Sequence, residues 1–240
     1  VWEFYAPLMV GGTLVIADAD AHHKPAKLIE IVRSNNISVI QFVPSLLDAV
    51  LQQENAKQCT TLRWVFCGGE VLTVQLKDRL YQALPQSRLV NLYGPTETTI
   101  DASFAYCEPN ANAIHIGRPI DNMAFHVMDE FGNVLPKGMP GELYISGLGL
   151  AKGYLNKEAL TAQQFIFHPH NRGLRVYKTG DKVIERADGQ YDYLGRMDYQ
   201  IKIRGLRIEP DDIESHLKNL PEIANVAVVV AKDAHQQSHL

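Results

Sequence analysis

Cysteine is scarce: Cys59, Cys67 and Cys107 are the only three, and none sits in a C-x-x-C spacing. They cannot all pair with one another, so neither a disulfide framework nor a zinc knuckle is suggested, and a reducing cytoplasm fits. A surplus of positive charge is also missing. The 23 Lys and Arg stand against 27 Asp and Glu, and a formal net charge of -4 supplies no field to gather nucleic acid or anionic lipid. No run approaches the roughly 18 apolar residues that span a bilayer, and no basic-then-apolar signal sequence opens the chain. Neither a nucleic-acid nor a membrane partner is expected. Long internal repeats and low-complexity segments are absent too.

What the chain does have is 240 residues, 46% of them hydrophobic and 21% charged, enough for a substantial core. Val1 opens an apolar, aromatic stretch, VWEFYAPLMVGG, with no initiator Met and no helix cap, and HQQSHL follows soon after the apolar run NVAVVV. Both ends look cut, and part of a longer polypeptide is expected.

The first hundred residues repeat one rhythm of a short β-branched run, Gly or Pro punctuation and an amphipathic stretch. TLVIAD (13–18), ISVIQFV (37–43), LRWVFCGG (62–69) and RLVNLYG (88–94) read as buried strands. AKLIEIVRSNN, PSLLDAVLQQ and LTVQLKDRLYQAL place apolar residues at helical spacing. The expected fold class is α/β, with a parallel sheet flanked by helices over 1–113 and ligands at the carboxyl ends of its strands. Over 114–197 Gly and Pro recur often, and FHVMDEFGNVLP, GELYISG and GQYDYLG predict short antiparallel strands of a β-rich part. Over 198–240, QIKIRGLRI predicts a hairpin, PDDIESHLKNL a helix and NVAVVVAKD a strand, the start of a small α+β domain.

Three segments carry candidate chemistry. In NLYGPTETT (91–99) a Gly-Pro pair ends a strand, and an aromatic, a hydroxyl and a carboxylate follow. Such a turn offers a ring to stack a heterocycle, Thr96 to hydrogen-bond a phosphate and Glu97 to hold a hard cation such as magnesium. The same stretch is also consistent with Thr and Glu capping a helix. In YKTGD (177–181) Asp181 follows a Gly that permits a tight turn, and its carboxylate suits a ribose diol, though a plain surface turn has the same pattern. GRMDYQIKIRGLRIE (195–209) carries Arg196, Lys202, Arg204 and Arg207, which also fits a solvated edge strand guarded by charge.

Together, NLYGPTETT, GELYISGLGLAKGYL, YKTGD and GRMDYQIKIRGLRIEPDDIE, in this order and spacing, resemble the adenylate-forming enzymes and within them the amino-acid adenylation domains of nonribosomal peptide synthetases. The opening VWEF resembles the continuation of that family's Phe-Asp-x-Ser motif. The resemblance runs over essentially the whole chain. It implies an ATP-dependent ligase that turns an amino acid into an aminoacyl adenylate and passes it to the phosphopantetheine thiol of a carrier domain, with a condensation domain in the same polypeptide. By matching motifs, Asn91 and Tyr93 contact adenine, Thr96 the α-phosphate, Glu97 magnesium, and Asp181 the ribose, with Tyr193 and Arg196 close by. Thr96 and Glu97 are the catalytic residues. Asp198 matches the hinge of the small domain, and Gly205 the loop that approaches the thiol. The family's phosphate loop would precede Val1 and its catalytic Lys would follow Leu240, so the fragment is expected to adenylate poorly or not at all.

The resemblance also maps an amino-acid pocket onto Trp2, Gln41, Phe66, Gly68, Leu92, Ile100 and Asp101. Gln41 and Phe66 fall at expected strand ends, and Phe66, Leu92 and Ile100 are equally ordinary core residues. An amide and a carboxylate above apolar walls suit glutamine better than glutamate, whose charge Asp101 would repel. Other signals are weaker. His22, His23, His168 and His170 lack metal-ligand spacing, no G-x-S-x-G elbow exists, and Cys67 lies inside an expected strand as inert packing. Rival readings are an acyl-CoA or aryl-acid ligase and a non-catalytic nucleotide-binding module.

Overall fold

In a computed structural model of the chain, residues 1–198, 200–203, 205–220, 222, 223, 225–232 and 238–240 are described. Arg204 lies outside them. The chain opens with α1 (Trp2–Met9), which has no side-chain cap and no buried residue. Helix α2 (Pro25–Ser34) leads to β1 (Val39–Phe42), α3 (Pro44–Leu51) to β2 (Trp64–Gly68), and α4 (Val74–Ala83) to β3 (Arg88–Tyr93). Pro25 and Pro44 occupy first helical turns, where the missing N–H costs nothing. Thr73 caps α4 by accepting from the Leu76 amide at 3.2 Å.

Strands β1, β2 and β3 are parallel, with Gln41 beside Phe66 and Gly68 beside Leu92. Alternation sends Phe42, Val65, Cys67 and Leu89 to the face that α2, α3 and α4 cover, where Ile29, Val32, Leu47, Val50, Leu76 and Leu80 complete the core. Each large apolar side chain buried there contributes about 1.5–3 kcal/mol. The periodicity of α2 to α4 and the strand runs at 37–43, 62–69 and 88–94 therefore reflect this packing.

Two expectations for the first part are corrected. TLVIAD is not a strand: Ile16 is exposed and no neighbouring strand lies beside 13–18 among the described residues. A β-branched run forms a strand only where another strand takes its backbone groups. The sheet is also not parallel throughout. After β3 come β4 (Ser103–Cys107) and β5 (Arg118–Pro119), both antiparallel to their neighbours, giving the order β1-β2-β3-β4-β5. The connection over 94–102 is too short for a parallel crossover and folds straight back.

The second sheet is built from β6 (Met123–Met128), β7 (Pro140–Gly147), β8 (Phe165–His168), β9 (Asn171–Glu185) and β10 (Tyr191–Arg196), all antiparallel, with α5 (Glu158–Gln164) before β8. Its core of Ile116, Phe125, Val127, Leu143, Ile145, Val183 and Tyr191 also holds Ala102, with Tyr93 packed against it. The ends of β3 and β4 are thus built into the second sheet's core. YKTGD is not a surface turn but part of β9. Register jumps from Lys182 opposite Glu142 to Lys178 opposite Tyr144, so residues 179–181 bulge, and Gly180 at φ 71° takes the left-handed position.

The remainder holds the hairpin of β11 (Ile201–Ile203) and β12 (Leu206–Ile208), α6 (Pro210–Lys218), and the short pair β13 (Ala231–Lys232) and β14 (Ser238–His239). The strand expected over NVAVVVAKD is reduced to β13. The Val228 amide donates to Glu214 Oε1 at 2.9 Å in place of a strand partner.

Gly117 joins the sheets where no side chain fits: a Cβ there would lie 1.7 Å from the Phe104 carbonyl oxygen, at φ 80°. Gly138, at φ 87°, has nothing within 4 Å. Gly117→Ala should lose about 3 kcal/mol or more in urea denaturation against about 1 kcal/mol for Gly138→Ala. Equal losses would contradict the close approach of Gly117 to the β4 backbone.

Candidate active site

The end of β3 is shaped by Gly94, where a Cβ would fall 2.3 Å from the Ile100 carbonyl oxygen. Only glycine lets the chain double back so closely. Pro95 follows, then a 3₁₀ turn over Thr96–Thr98, and both the Thr98 amide and its hydroxyl donate to the Pro95 carbonyl at 3.0 Å. Thr99 and Ile100 then take φ of 63° and 75°, the left-handed region that non-glycine residues avoid. The Ala102 amide closes the loop on the Tyr93 carbonyl at 2.8 Å. Two further bonds tie the loop to the second sheet's connection, Thr99 Oγ1 to the Gly149 carbonyl at 2.6 Å and the Ala151 amide to the Glu97 carbonyl at 2.8 Å. A strained non-glycine pair is characteristic of functional loops. The helix-cap alternative fails, because β4 follows the loop.

Beside this loop lies a cavity of about 1580 Å³, lined among others by Asn91, Leu92, Tyr93, Asp181, Tyr193 and Arg196. Five of these residues were expected to bind nucleotide, and they converge from β3, the β9 bulge and β10. Tyr93 Oη donates to Asp181 Oδ2 at 2.5 Å, and Arg196 Nη1 donates to Asp181 Oδ1 at 2.9 Å and to the Thr179 carbonyl at 2.7 Å. Asp181 is buried, and each of its oxygens keeps a second lone pair for a hydroxyl donor. Burial first, then the Asp181 charge, raises the Tyr93 phenol well above its ordinary range, so Tyr93 is a neutral donor. Its ring stands edge-on to Phe125 at 6.1 Å and tilted to Tyr193 at 6.5 Å. Asn91 is buried and donates from Nδ2 to the His115 carbonyl at 2.8 Å.

Thr96 and Glu97 do not line that cavity. Thr96 is exposed; Glu97 is buried, and its Oε1 accepts from Tyr154 Oη and Arg207 Nη1, both at 2.6 Å. Burial opposes ionisation of Glu97, but the Tyr154 hydroxyl and the Arg207 charge outweigh it and hold the carboxyl below its usual range. Its Oε2 is buried with no hydrogen-bond partner. An orphaned anionic oxygen fits a magnesium ligand, since magnesium takes one or two carboxylates and completes its shell with water and substrate phosphate. Asp198, the expected hinge, accepts from Arg196 Nε at 2.8 Å and Nη2 at 2.5 Å.

The expected substrate-pocket residues fall into two groups. Gln41, Phe66, Gly68 and Leu92 share the sheet face opposite the helices, while Trp2 comes from α1 and Ile100 and Asp101 from the strained loop. Trp2 and Phe66 rings meet edge-on at 4.9 Å. Gln41 Oε1 is buried without a partner. The missing Cβ of Gly68 would touch Leu92 at 3.1 Å. Leu92 alone of the seven lines the large cavity. Phe66 lies within β2 and not at its end, so it is strand alternation that turns it to this face. Burial, then repulsion from Glu3, pushes Asp101 up to about 6. Burial also raises the Cys67 thiol, which fits inert packing.

Sequence reasoning assigned no role to Tyr154, Arg207 or the His115–Asp192 pair. His115 Nδ1 meets Asp192 Oδ1 next to the cavity, and Asp192 Oδ2 also takes Arg186 Nη1 at 3.4 Å. Tyr154 and Arg207 stand inside the quoted motif strings. Nothing local to either residue points to Glu97, because the contact is made across 57 and 110 positions.

Known proteins resemble this chain. A family model described as AMP-binding enzyme matches residues 1–155. Tyrocidine synthase 3 of Brevibacillus parabrevis is 45% identical over 242 residues, covering 100% of this chain and 4% of that protein. Phosphinothricin tripeptide synthetase PhsB of Streptomyces viridochromogenes is 41% identical over 241 residues, covering 100% of this chain and 20% of that protein. A crystal structure of holo-AB3403, a four-domain nonribosomal peptide synthetase bound to AMP and glycine, superposes with a TM-score of 0.76 at 35% identity, over 98% of this chain and 18% of that one. The chain therefore spans a small part of the relatives it matches. Among the described residues no helix is long and apolar enough to cross a membrane.

The raised Asp101 has a measurable sign. Its folded value near 6 exceeds the unfolded value near 3.8, so the folded state holds the proton longer. Stability should fall as pH rises from about 4 to about 6 and stay level above. After discounting for its partial exposure, Asp101→Asn should gain on the order of 1 kcal/mol at pH 8 relative to pH 4 in denaturant titrations. A pH-independent difference would contradict the burial of that carboxylate. The AMP-binding match, the peptide-synthetase relatives and the convergence on Asp181 lead to one conclusion: the chain belongs to the AMP-binding enzyme family, and its likeness within it runs to the adenylation parts of nonribosomal peptide synthetases.

Proposed function

We propose that this chain forms the nucleotide-binding part of a cytoplasmic adenylation domain that activates an amino acid with ATP, glutamine being the preferred substrate. The observation that carries the reading is the buried Asp181 carboxylate, held by Tyr93 and Arg196 at the wall of a cavity large enough to admit a nucleotide. Adenine lies against Tyr93 with Asn91 at its edge, and the ribose hydroxyls donate to the lone pairs of Asp181 left open by the protein. Tyr193 closes the same wall, and Arg196 keeps the carboxylate ionised and aimed.

In the first step the amino-acid carboxylate oxygen attacks the α-phosphorus of ATP, and the bond to the bridging oxygen breaks with pyrophosphate leaving. Thr96 donates to the α-phosphate, where negative charge develops. Glu97 offers Oε2 to magnesium, whose charge when bound offsets that of the leaving pyrophosphate. In the second step the phosphopantetheine thiol of a carrier domain attacks the aminoacyl carbonyl, AMP leaves, and the thiol proton is released. Asp198 is the hinge about which the small C-terminal part turns between the steps, with Gly205 on the thiol side. A condensation domain then uses the thioester.

Glutamine is favoured by two acceptors at the pocket face. Asp101, largely ionised above pH 6, and the unpartnered Gln41 Oε1 both suit an amide NH2, and a substrate carboxylate would meet the Asp101 charge.

Paired variants of the full-length protein separate these roles. Asp181→Ala should reduce pyrophosphate exchange with every amino acid by about tenfold to a hundredfold, the worth of a charged hydrogen bond. Asp101→Ala should instead change the ranking of amino acids, glutamine losing most. Exchange driven only by fatty or aryl acids in the parent would overturn the reading in favour of an acyl-CoA or aryl-acid ligase.

A further inference from the structure

Glu70 follows β2 and takes part in none of the chemistry above, yet both of its oxygens are engaged. Oε2 accepts from the Ser45 amide at 2.9 Å at the start of α3, and Oε1 from the Ser45 hydroxyl at 3.2 Å. Oε1 also accepts from the Gly205 amide at 2.7 Å, a contact across 135 positions that reaches the turn of the β11–β12 hairpin. Gly205 sits at φ 76°, and a Cβ on it would lie 2.8 Å from Val43 Cγ1, so the turn approaches the body as closely as glycine permits. The same hairpin brings Ile201, Lys202, Ile203 and Leu206 to the cavity wall. Its second strand places Arg207 on Glu97.

We propose that Glu70 is a positioning residue that docks the hairpin turn over the cavity and selects the state in which the second chemical step proceeds. The choice of step follows from Glu97. With Arg207 on Oε1, the docked hairpin already supplies a cation to the carboxylate that fits magnesium. Arg207 through Oε1 and magnesium through Oε2 therefore compete for the one negative charge of Glu97, and the docked state, in which Arg207 offsets that charge, is the one compatible with pyrophosphate having left. Glu70 is the anchor not subject to that competition, because its partners are the protein's own amides and a hydroxyl. The link to the second step rests on the function proposed above; the docking itself does not.

Hydrogen exchange of this chain, read by mass spectrometry over 200–208, tests the docking directly. Glu70→Ala should speed exchange of the Gly205 amide about tenfold or more, and Glu70→Gln, which keeps one carbonyl acceptor, should fall between Ala and the parent. Gly205→Ala leaves the Ser45 contacts intact and should raise exchange at the neighbouring amides of 200–208 alike, which covers the case in which Glu70→Ala unfolds α3. Parent-like exchange in both variants would overturn the proposal. In the full-length protein, Glu70→Ala should slow carrier-thiol loading about tenfold more than amino-acid-dependent pyrophosphate exchange. An equal fall in both would overturn the positioning role, whereas a parent protein with no pyrophosphate exchange would sink the proposed function and leave the docking result standing.

Discussion

The hydrogen-bonded line from Tyr93 through Asp181 to Arg196 holds the site together. It joins the end of a strand in the first sheet to the bulge and edge of the second, across 88 positions of sequence between Tyr93 and Asp181. A buried carboxylate is costly unless it is paired and hydrogen-bonded. Here the cost is offset by a phenol made more firmly neutral by burial and by a guanidinium that also holds the Thr179 carbonyl. Removing Arg196 would leave the Asp181 charge uncompensated, and removing the Tyr93 hydroxyl would take the donor from Oδ2. The sheets cannot separate without breaking this line, and the second sheet's core also takes in Tyr93 and Ala102.

A second buried carboxylate follows the same rule with a different result. Glu97 is satisfied on one oxygen by Tyr154 and Arg207 and left open on the other. Asp181 has both oxygens held and is a fixed reference point. Glu97 has one oxygen without a partner and a cationic partner, Arg207, from β12. Tyr93, which donates to Asp181, precedes the Gly94 turn and Glu97 follows it, and the left-handed Thr99 and Ile100 complete the reversal.

Much of this was legible in the sequence, though unevenly. The core faces of α2, α3 and α4 were visible because their burial repeats at helical spacing, and the strand at 88–94 because apolar residues run into Gly-Pro. TLVIAD looked the same and is not a strand, since a strand depends on a neighbour that composition does not reveal. Asp181 was visible as an acid after glycine. Its bulge was not, because a bulge is a mismatch of register between two strands and exists in neither alone. Tyr154, Arg207 and Glu70 were present in the chain without any local mark of their partners. Their roles come from contacts made across 57, 110 and 135 positions.

The central claim is that Asp181 holds a ribose inside the cavity beside Tyr93. A crystal structure of the chain with AMP tests it most directly. The account predicts both ribose hydroxyls within hydrogen-bond distance of the Asp181 carboxylate and the adenine against the Tyr93 ring. AMP bound at another surface, or in the cavity with its ribose turned from Asp181, would contradict it.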